Sequence, residues 1–251
     1  MHAYHRAKPI ILLDEYNTLI QSAYLHQYYD KAIHLIRDLL STAFKDNNFL
    51  EKAVLTGILR VAKEGMSSGL NNVEVYSVFE PDYSEYFGFK EAEVQELLIQ
   101  SGLASYSDDV RRWYNGYQMG KDRVYNPWWI THYLKCGERC TAYWLNTSDN
   151  RWVQDLLIRS NISMKIGLEQ LLQAQVIEVE IADQFVFADL ERDHVTLWRV
   201  LVMAGYLTVI WVTGSEEKLT GVDVGDADIQ KCYLEIPNHE VRATYARLIR
   251  G

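Results

Sequence analysis

The most informative stretch of the sequence lies near its N-terminus, Pro9-Ile10-Ile11-Leu12-Leu13-Asp14-Glu15. Its four consecutive apolar residues predict a strand that is buried on both faces of a parallel sheet. A helix is predicted over Tyr29–Phe44, and the apolar run Ala53–Leu59 predicts the next strand. Strand, long helix and strand form a βαβ crossover, so this part of the chain is predicted to be an open α/β sheet. A third strand is predicted at Val73–Phe79.

Length and composition exclude several classes of protein. The chain has 251 residues, of which 48% are hydrophobic, and its formal net charge is −9. A chain of this size buries enough surface to fold without disulfides or metal. Its first residues lack the pattern of a signal peptide, and it has no apolar run of about 18 residues, so we expect a cytoplasmic protein without membrane segments. The acidic balance argues against charge-driven binding of nucleic acid.

After Pro81 the pattern changes to amphipathic helices that lead into a helix and a hairpin. Helices are predicted at Lys90–Ser101, Asp108–Tyr114, Asn126–Tyr133, Asp149–Ser160, Ser163–Gln173 and Val195–Gly205. Strands are predicted at Val176–Ile181, Tyr206–Val212 and Lys231–Ile236, with the loop Gly214–Asp228 between the last two. This order is typical of a winged-helix lid, and the predicted domains are residues 1–85 and 86–251.

The two acids that follow the first strand are the candidate functional residues. In open α/β sheets, ligands bind at the carboxyl ends of the strands. In phosphoryl transfer, an acid such as Asp14 helps to hold Mg²⁺, usually through water, and an adjacent acid such as Glu15 can orient or deprotonate the attacking water. The alternative is that both are ordinary turn residues after a buried strand.

Three segments that look like ligand sites are interpreted as structural. Cys136 and Cys140 lie four apart on a predicted helix, where packing is favoured over a metal or redox role. Gly116–Asp122 resembles a phosphate-binding loop, but its spacer is one residue short and an acid replaces the Mg²⁺-binding hydroxyl, so it is predicted to be a turn. The pair Arg111-Arg112 is interpreted as a solvated pair at a helix end, with DNA contact as the alternative.

A series of short blocks, taken together and in order, resembles one protein family. The blocks are Ile10–Tyr16, Leu55–Glu64, Ser68–Asn72, Tyr86–Phe89, Trp113–Tyr117, Tyr125–Trp128, Tyr143–Ser148, Gly205–Leu207 and Ile236–Asn238. They resemble the AAA-ATPase-like family of bacterial P-loop proteins over nearly the whole chain. The resemblance implies an α/β fold: part of the parallel sheet of a P-loop NTPase, followed by an α-helical and winged-helix-like lid.

The resemblance also implies roles for individual residues. Asp14 and Glu15 match the family's Walker B acids, which handle Mg²⁺ and the attacking water beside ATP. Thr56 corresponds to a polar sensor near the γ-phosphate, and Arg60 to a cation facing the phosphates, with a surface salt bridge as the alternative for Arg60. Pro127 is interpreted as a first-turn helix proline rather than a contact to adenine.

Two parts of the family's pattern are absent from the sequence. The family carries a Gly-rich phosphate loop (Walker A) before the first strand and commonly a PD-(D/E)XK nuclease-like domain after the lid. We therefore expect a truncated, split or decayed part of a longer ATPase, with the P-loop segment and the nuclease-like domain as its partners. Without the phosphate loop we expect weak or no Mg·ATP binding and no independent hydrolysis.

Two other hypotheses remain open at this point. The chain could be a non-catalytic module whose lid contacts protein or DNA, or a remnant whose exposed sheet edge impairs folding. The acidic loop Gly214–Asp228 favours a lid or protein-contact role over DNA binding, because phosphate contacts dominate DNA affinity.

Overall fold

A computed structural model gives the fold of two compact units. It describes residues 2–58, 73–137, 139–143, 156–157, 160–182, 194–210 and 229–250. Unit 1 comprises Met1–Val75 and Ala182–Thr196, and unit 2 comprises Tyr76–Ile181 and Leu197–Gly251. Among the described residues, no helix is both long enough and apolar enough to span a bilayer.

Unit 1 is built around a parallel strand pair. Its elements are α1 (His2–His5), β1 (Ile10–Leu13), α2 (Thr18–Leu25), α3 (Tyr29–Phe44) and β2 (Lys52–Leu55). β1 and β2 pair in parallel, with Leu13 opposite Leu55. α3 has the predicted bounds because Ile33, Ile36 and Leu40 recur at helical spacing and are buried. The mixed α/β class and the βαβ crossover are confirmed.

β1 is not buried on both faces. Ile10 and Leu12 are 61% and 75% exposed, whereas Ile11 and Leu13 are half-buried. Val54, which pairs with Leu12, is also exposed. The prediction of a doubly buried strand is wrong, because nothing in the described part of the chain covers the face that carries Leu12 and Val54.

The third predicted strand, Val73–Phe79, is also wrong. The segment forms no ladder in the part of the chain that the structure describes, and Val73 is 42% exposed. Its second half turns instead, since the Glu80 N–H donates to the Ser77 carbonyl at 3.1 Å. Apolar alternation alone therefore does not form a strand here, because it needs a paired neighbour.

Unit 2 contains helices, a hairpin and a three-stranded sheet. Its helices are α4 (Glu91–Gln100), α5 (Ser107–Tyr114), α6 (Pro127–Cys136), α7 (Ile162–Leu172), α8 (His194–Met203) and α9 (His239–Arg250), with single 3₁₀ turns at Ser84–Tyr86 and Ala104–Tyr106. Its strands are β3 (Tyr117–Met119), β4 (Asp122–Val124), β5 (Ile177–Ala182), β6 (Thr208–Ile210) and β7 (Ile229–Glu235). α8 begins, and β5 ends, on residues that are grouped with unit 1.

The C-terminal hairpin of unit 2 forms as predicted. β6 and β7 are antiparallel, and the sheet order is β5-β7-β6. α8 contributes Leu197, Trp198, Leu201 and Val202 to the core, as the sequence pattern predicts. The predicted loop Gly214–Asp228 lies outside the described residues, as does most of the predicted helix Asp149–Ser160.

Several blocks that carry the family resemblance meet inside unit 2. Phe89 and Tyr125 exchange backbone hydrogen bonds of 3.0 and 2.8 Å. Gly116 lies so close to Pro237 that a Cβ on Gly116 would come within 2.0 Å of the Pro237 carbonyl oxygen. These blocks therefore contribute to the packing of unit 2.

Glu91, the first residue of α4, connects α4 to α5 and to the segment that follows β4. It accepts hydrogen bonds from the Arg111 guanidinium at 2.7 Å, the Tyr125 hydroxyl at 2.7 Å and the Asn115 amide at 3.1 Å. Partial burial works to raise the pKa of Glu91, but the bonds from Arg111 and Tyr125 outweigh it and hold the pKa below its usual value. The carboxylate therefore stabilises the folded form of unit 2.

Replacing this carboxylate tests the connection. Glu91→Gln is expected to lower the free energy of unfolding by about 1 kcal/mol at pH 7, since the pair is partly screened by solvent. A depressed pKa stabilises the fold above the unfolded value, about 4.3, and this contribution disappears as the pH falls through the folded value. Urea unfolding should thus show a larger difference between Glu91→Gln and the wild type at pH 7 than at pH 3. Asp108→Asn, at an exposed acid on α5, is the control and should change little.

Gly116 offers a second test, because its backbone φ is +124° and it faces Pro237. Gly116→Ala is expected to cost about 3 kcal/mol or more, combining strain with overpacking. Gly102 also has a positive φ, +72°, but a Cβ there meets nothing within 4 Å. Gly102→Ala should therefore cost only about 1 kcal/mol. Equal losses in thermal unfolding of the two variants would contradict the close contact with Pro237.

Candidate functional site

The candidate site lies at the carboxyl ends of β1 and β2. Asp14 follows β1 directly, and Thr56 follows β2 directly. Because the strands are parallel and Leu13 is opposite Leu55, both ends reach the same rim of the sheet. The strand pairing alone thus brings together two residues that are 42 positions apart in the sequence.

Thr56 is hydrogen-bonded to the turn that carries the two acids. Its backbone N–H donates to the Leu13 carbonyl at 2.9 Å, and its carbonyl accepts from the Tyr16 N–H at 3.0 Å. Its hydroxyl accepts from the Glu15 N–H at 3.3 Å and donates to an Asp14 carboxylate oxygen. The turn is therefore fixed to the end of β2 through both the backbone and the side chain of one residue.

The site is open to solvent and its backbone is unusual. Asp14, Glu15 and Thr56 are all exposed. Glu15 has φ +53°, in the left-handed region that costs a side-chain-bearing residue about 1–3 kcal/mol. Strain of this kind persists only where the surroundings hold it, and the Thr56 bonds are part of those surroundings.

The donor set fits a magnesium ion bound mainly through water. Mg²⁺ takes one or two carboxylates, keeps several waters and completes its shell with substrate phosphates. Asp14 would supply a carboxylate to the ion through water, Glu15 carries a second carboxylate beside it in the sequence, and the Thr56 hydroxyl is bonded to Asp14. Among the described residues no group of three or more His, Cys, Asp or Glu side chains gathers as a closed metal site.

The structure places only part of the predicted set. Asp14, Glu15 and Thr56 come together, as the parallel crossover predicts. Arg60 lies outside the described residues, so its predicted position facing the phosphates stays a prediction. The functional roles of all four residues likewise remain predictions.

Two residues that the sequence did not single out adjoin this site. Asn17 is completely buried, two residues after Glu15. Gly57 follows Thr56, and a Cβ on Gly57 would lie 2.1 Å from the Asn17 Oδ1 atom. The sequence offered one weak signal, an Asn before a helix, which normally indicates a helix cap.

The other candidates in unit 2 are structural where the structure describes them. Arg111 is ion-paired with Glu91, and Arg112 with Asp109. Pro127 is the first residue of α6, and the Asn126 side chain caps that helix. Gly116–Asp122 is not a phosphate loop, since it runs through β3 and the hairpin turn before β4.

The cysteine pair does not share a helix as predicted. α6 ends at Cys136, and Gly137 follows with φ +63°, so Cys140 lies beyond the helix. Burial raises the pKa of the Cys140 thiol to about 11, which disfavours the thiolate that a metal or redox site needs. Packing is the better interpretation of Cys140.

Comparison with known protein families gives a match that lies within unit 1. A family model, AAA-ATPase-like, described as "Predicted AAA-ATPase", matches residues 1–67. Residues 1–67 are therefore similar to this family. The match includes the Asp14–Glu15 turn and Thr56, so the matched segment contains the residues that build the candidate site.

A relative extends the similarity into unit 2. An "Uncharacterized protein in vnfD 5'region" of Azotobacter chroococcum mcd 1 is 26% identical over 209 residues, 83% of this chain. The aligned region is 38% of that protein, so the chain matches well under half of its relative's length. No solved structure is significantly similar to the chain.

The Thr56 hydroxyl can be tested without any ligand. Thr56→Val keeps the shape but removes the acceptor for the Glu15 N–H, so the Glu15 amide should exchange with solvent about fivefold faster, as expected for one hydrogen bond worth about 1 kcal/mol. Thr56→Ser keeps the hydroxyl and should exchange like the wild type. Hydrogen exchange followed by NMR measures both. An unchanged rate in Thr56→Val would contradict the bond.

Proposed function

We propose that unit 1 is the metal- and water-handling part of an ATP-hydrolysing site. Asp14 holds Mg²⁺ through water, and Glu15 orients or deprotonates the water that attacks the γ-phosphate. Thr56 fixes both acids and faces the phosphate as its sensor, with Arg60 as the cation on the same side. Mg²⁺, when bound, neutralises charge on the transferring phosphoryl group.

One observation carries this proposal: the Thr56 hydroxyl bridges the Asp14 carboxylate and the Glu15 backbone N–H at the carboxyl rim of a parallel strand pair. Ordinary turn acids would need no partner on the neighbouring strand. Ligands of open α/β sheets bind at this rim. The AAA-ATPase-like match over residues 1–67 supports the same reaction class.

A complete site also needs a phosphate-binding loop, and the 251 residues contain no Gly-x-x-x-x-Gly-Lys-Ser/Thr motif (Walker A). We propose that a P-loop segment outside this sequence is the partner of unit 1. The exposed Leu12 and Val54 support this, because a sheet face carrying such residues is stabilised when another element covers it. The C-terminal nuclease-like domain is proposed as a second partner on the family resemblance alone.

Unit 2 is proposed to be the helical and winged-helix-like lid over the nucleotide. The order of α8, β6 and β7 supports this assignment. A DNA-binding module is less well supported, because both arginines of the one basic cluster that the sequence singled out are ion-paired within unit 2. Neutralised arginines contribute little to phosphate binding.

Manganese can replace magnesium as a paramagnetic probe of the site. In the isotope-labelled chain, substoichiometric Mn²⁺ should broaden the amide signals of Asp14, Glu15 and Thr56 first. Asp14→Asn should remove this selective broadening. Asp30→Asn, at an exposed acid in the first turn of α3, is the matched control and should leave it unchanged. Equal broadening in the wild type and in Asp14→Asn would overturn the metal proposal.

The same sample tests the need for a phosphate loop. Calorimetric titration with Mg·ATP should show weak binding or none, since the amides and lysine that hold the β- and γ-phosphates are not in these 251 residues. A dissociation constant in the low micromolar range would contradict this, and would mean that the chain supplies its own phosphate contacts.

A further inference from the structure

The side chain of Asn17 is a buried amide that makes no hydrogen bond within the described part of the chain. It stands immediately before α2, yet its side chain does not cap that helix. The Asn residues before α6, α7 and α9 all do so, accepting the N–H of Trp128, Met164 and Val241. Both polar atoms of the Asn17 side chain lack a hydrogen-bond partner among the described residues. A buried amide left unpaired opposes folding, so a polar group in this place calls for an explanation.

Gly57 makes the position of Asn17 possible. A Cβ at residue 57 would fall 2.1 Å from the Asn17 Oδ1 atom and 3.0 Å from the Tyr16 ring. Real atoms do not approach so closely, so any side chain at residue 57 would displace the amide. Glycine is therefore required at residue 57 because there is no room for a Cβ, and not because of its backbone conformation.

This contact joins the two halves of the candidate site. Asn17 lies two residues after Glu15, whose backbone has the strained φ of +53°. Gly57 lies one residue after Thr56, which bonds both acids. The side chain of Asn17 therefore rests against the backbone next to Thr56, while its own backbone continues the turn that carries Asp14 and Glu15.

We propose that Asn17 is a positioning residue. Its buried carboxamide, seated against Gly57, sets the Asp14–Glu15 turn relative to Thr56. The metal and water chemistry that this turn serves rests on the proposed function, but the positioning itself does not. A neutral amide fills the space without adding a third carboxylate beside Asp14, where like charges would repel each other.

Substitutions at the two residues test the contact as a pair. Gly57→Ala should displace Asn17 and speed hydrogen exchange of the Tyr16 and Thr56 amides about tenfold, within the range of coupling between contacting residues. Asn17→Ala should also speed exchange, because it empties the space against Gly57. In the double variant the methyl group introduced at residue 57 takes the place of Oδ1, so exchange should return to within about threefold of the wild type.

The controls separate a local effect from loss of the fold. Thr18→Ala, at the exposed neighbour of Asn17, should leave the exchange rates unchanged. The amide of Leu40, within α3, should stay protected in every variant. Unchanged exchange in Gly57→Ala, or a double variant no better than the single ones, would overturn the positioning role.

Manganese broadening separates this inference from the proposed function. If both hold, Mn²⁺ affinity should fall several-fold in each single variant and recover in the double variant. If the wild type shows no selective broadening while exchange responds as expected, the metal proposal fails and the positioning of the turn stands. If the wild type binds Mn²⁺ and Gly57→Ala binds it equally well, the inference fails and the metal proposal stands.

Discussion

The parallel pairing of β1 with β2 is the constraint on which the candidate site depends. Parallel strands align their carboxyl ends, so the residues that follow each strand must meet at one rim. The Leu13–Leu55 register places Thr56 against the Asp14–Glu15 turn. A shift of one residue would turn the side chains of β2 to opposite faces and separate the hydroxyl from the acids. The chemistry proposed for unit 1 therefore follows from strand register.

The two units use their distinctive residues differently. In unit 1, Asp14, Glu15 and Thr56 are exposed at a rim and bonded to each other. In unit 2, the sequence blocks that carry the family resemblance contact one another. For example, the Tyr117 hydroxyl donates to the Gly205 carbonyl at 2.9 Å. The described contacts of these blocks in unit 2 stabilise its fold, whereas Asp14, Glu15 and Thr56 of unit 1 form an exposed candidate site. This is why the functional proposal rests on unit 1.

The exposed apolar surface of unit 1 bears on the same proposal. Leu12 and Leu35 are more than 70% exposed, and Leu39 lies one turn after Leu35 on α3. Solvent-facing leucines in both a strand and a helix lose stabilisation that burial would supply, about 1.5–3 kcal/mol for each fully buried side chain. A partner segment of the proposed kind that covered the face of the strand pair carrying Leu12 would stabilise the sheet.

By itself, the sequence determined several local elements and one long-range relation. Helical spacing of apolar residues predicted α3 with its observed bounds, and the two strands around it predicted a parallel pair. Because parallel strands align their ends, the meeting of Asp14 with Thr56 followed from the sequence as well. These features are set by local periodicity and by the chirality of a crossover, which a sequence carries directly.

Only the tertiary structure decided which faces are covered and which side chains touch. The same apolar letters fit a strand buried on both faces and the observed β1, whose Leu12 is exposed, because burial depends on what packs above the strand. The seating of Asn17 against Gly57 has no sequence signature, since it joins two residues far apart in the chain through a gap the size of one missing Cβ. Periodicity specifies elements, whereas contacts of that size are specified only when the elements come together.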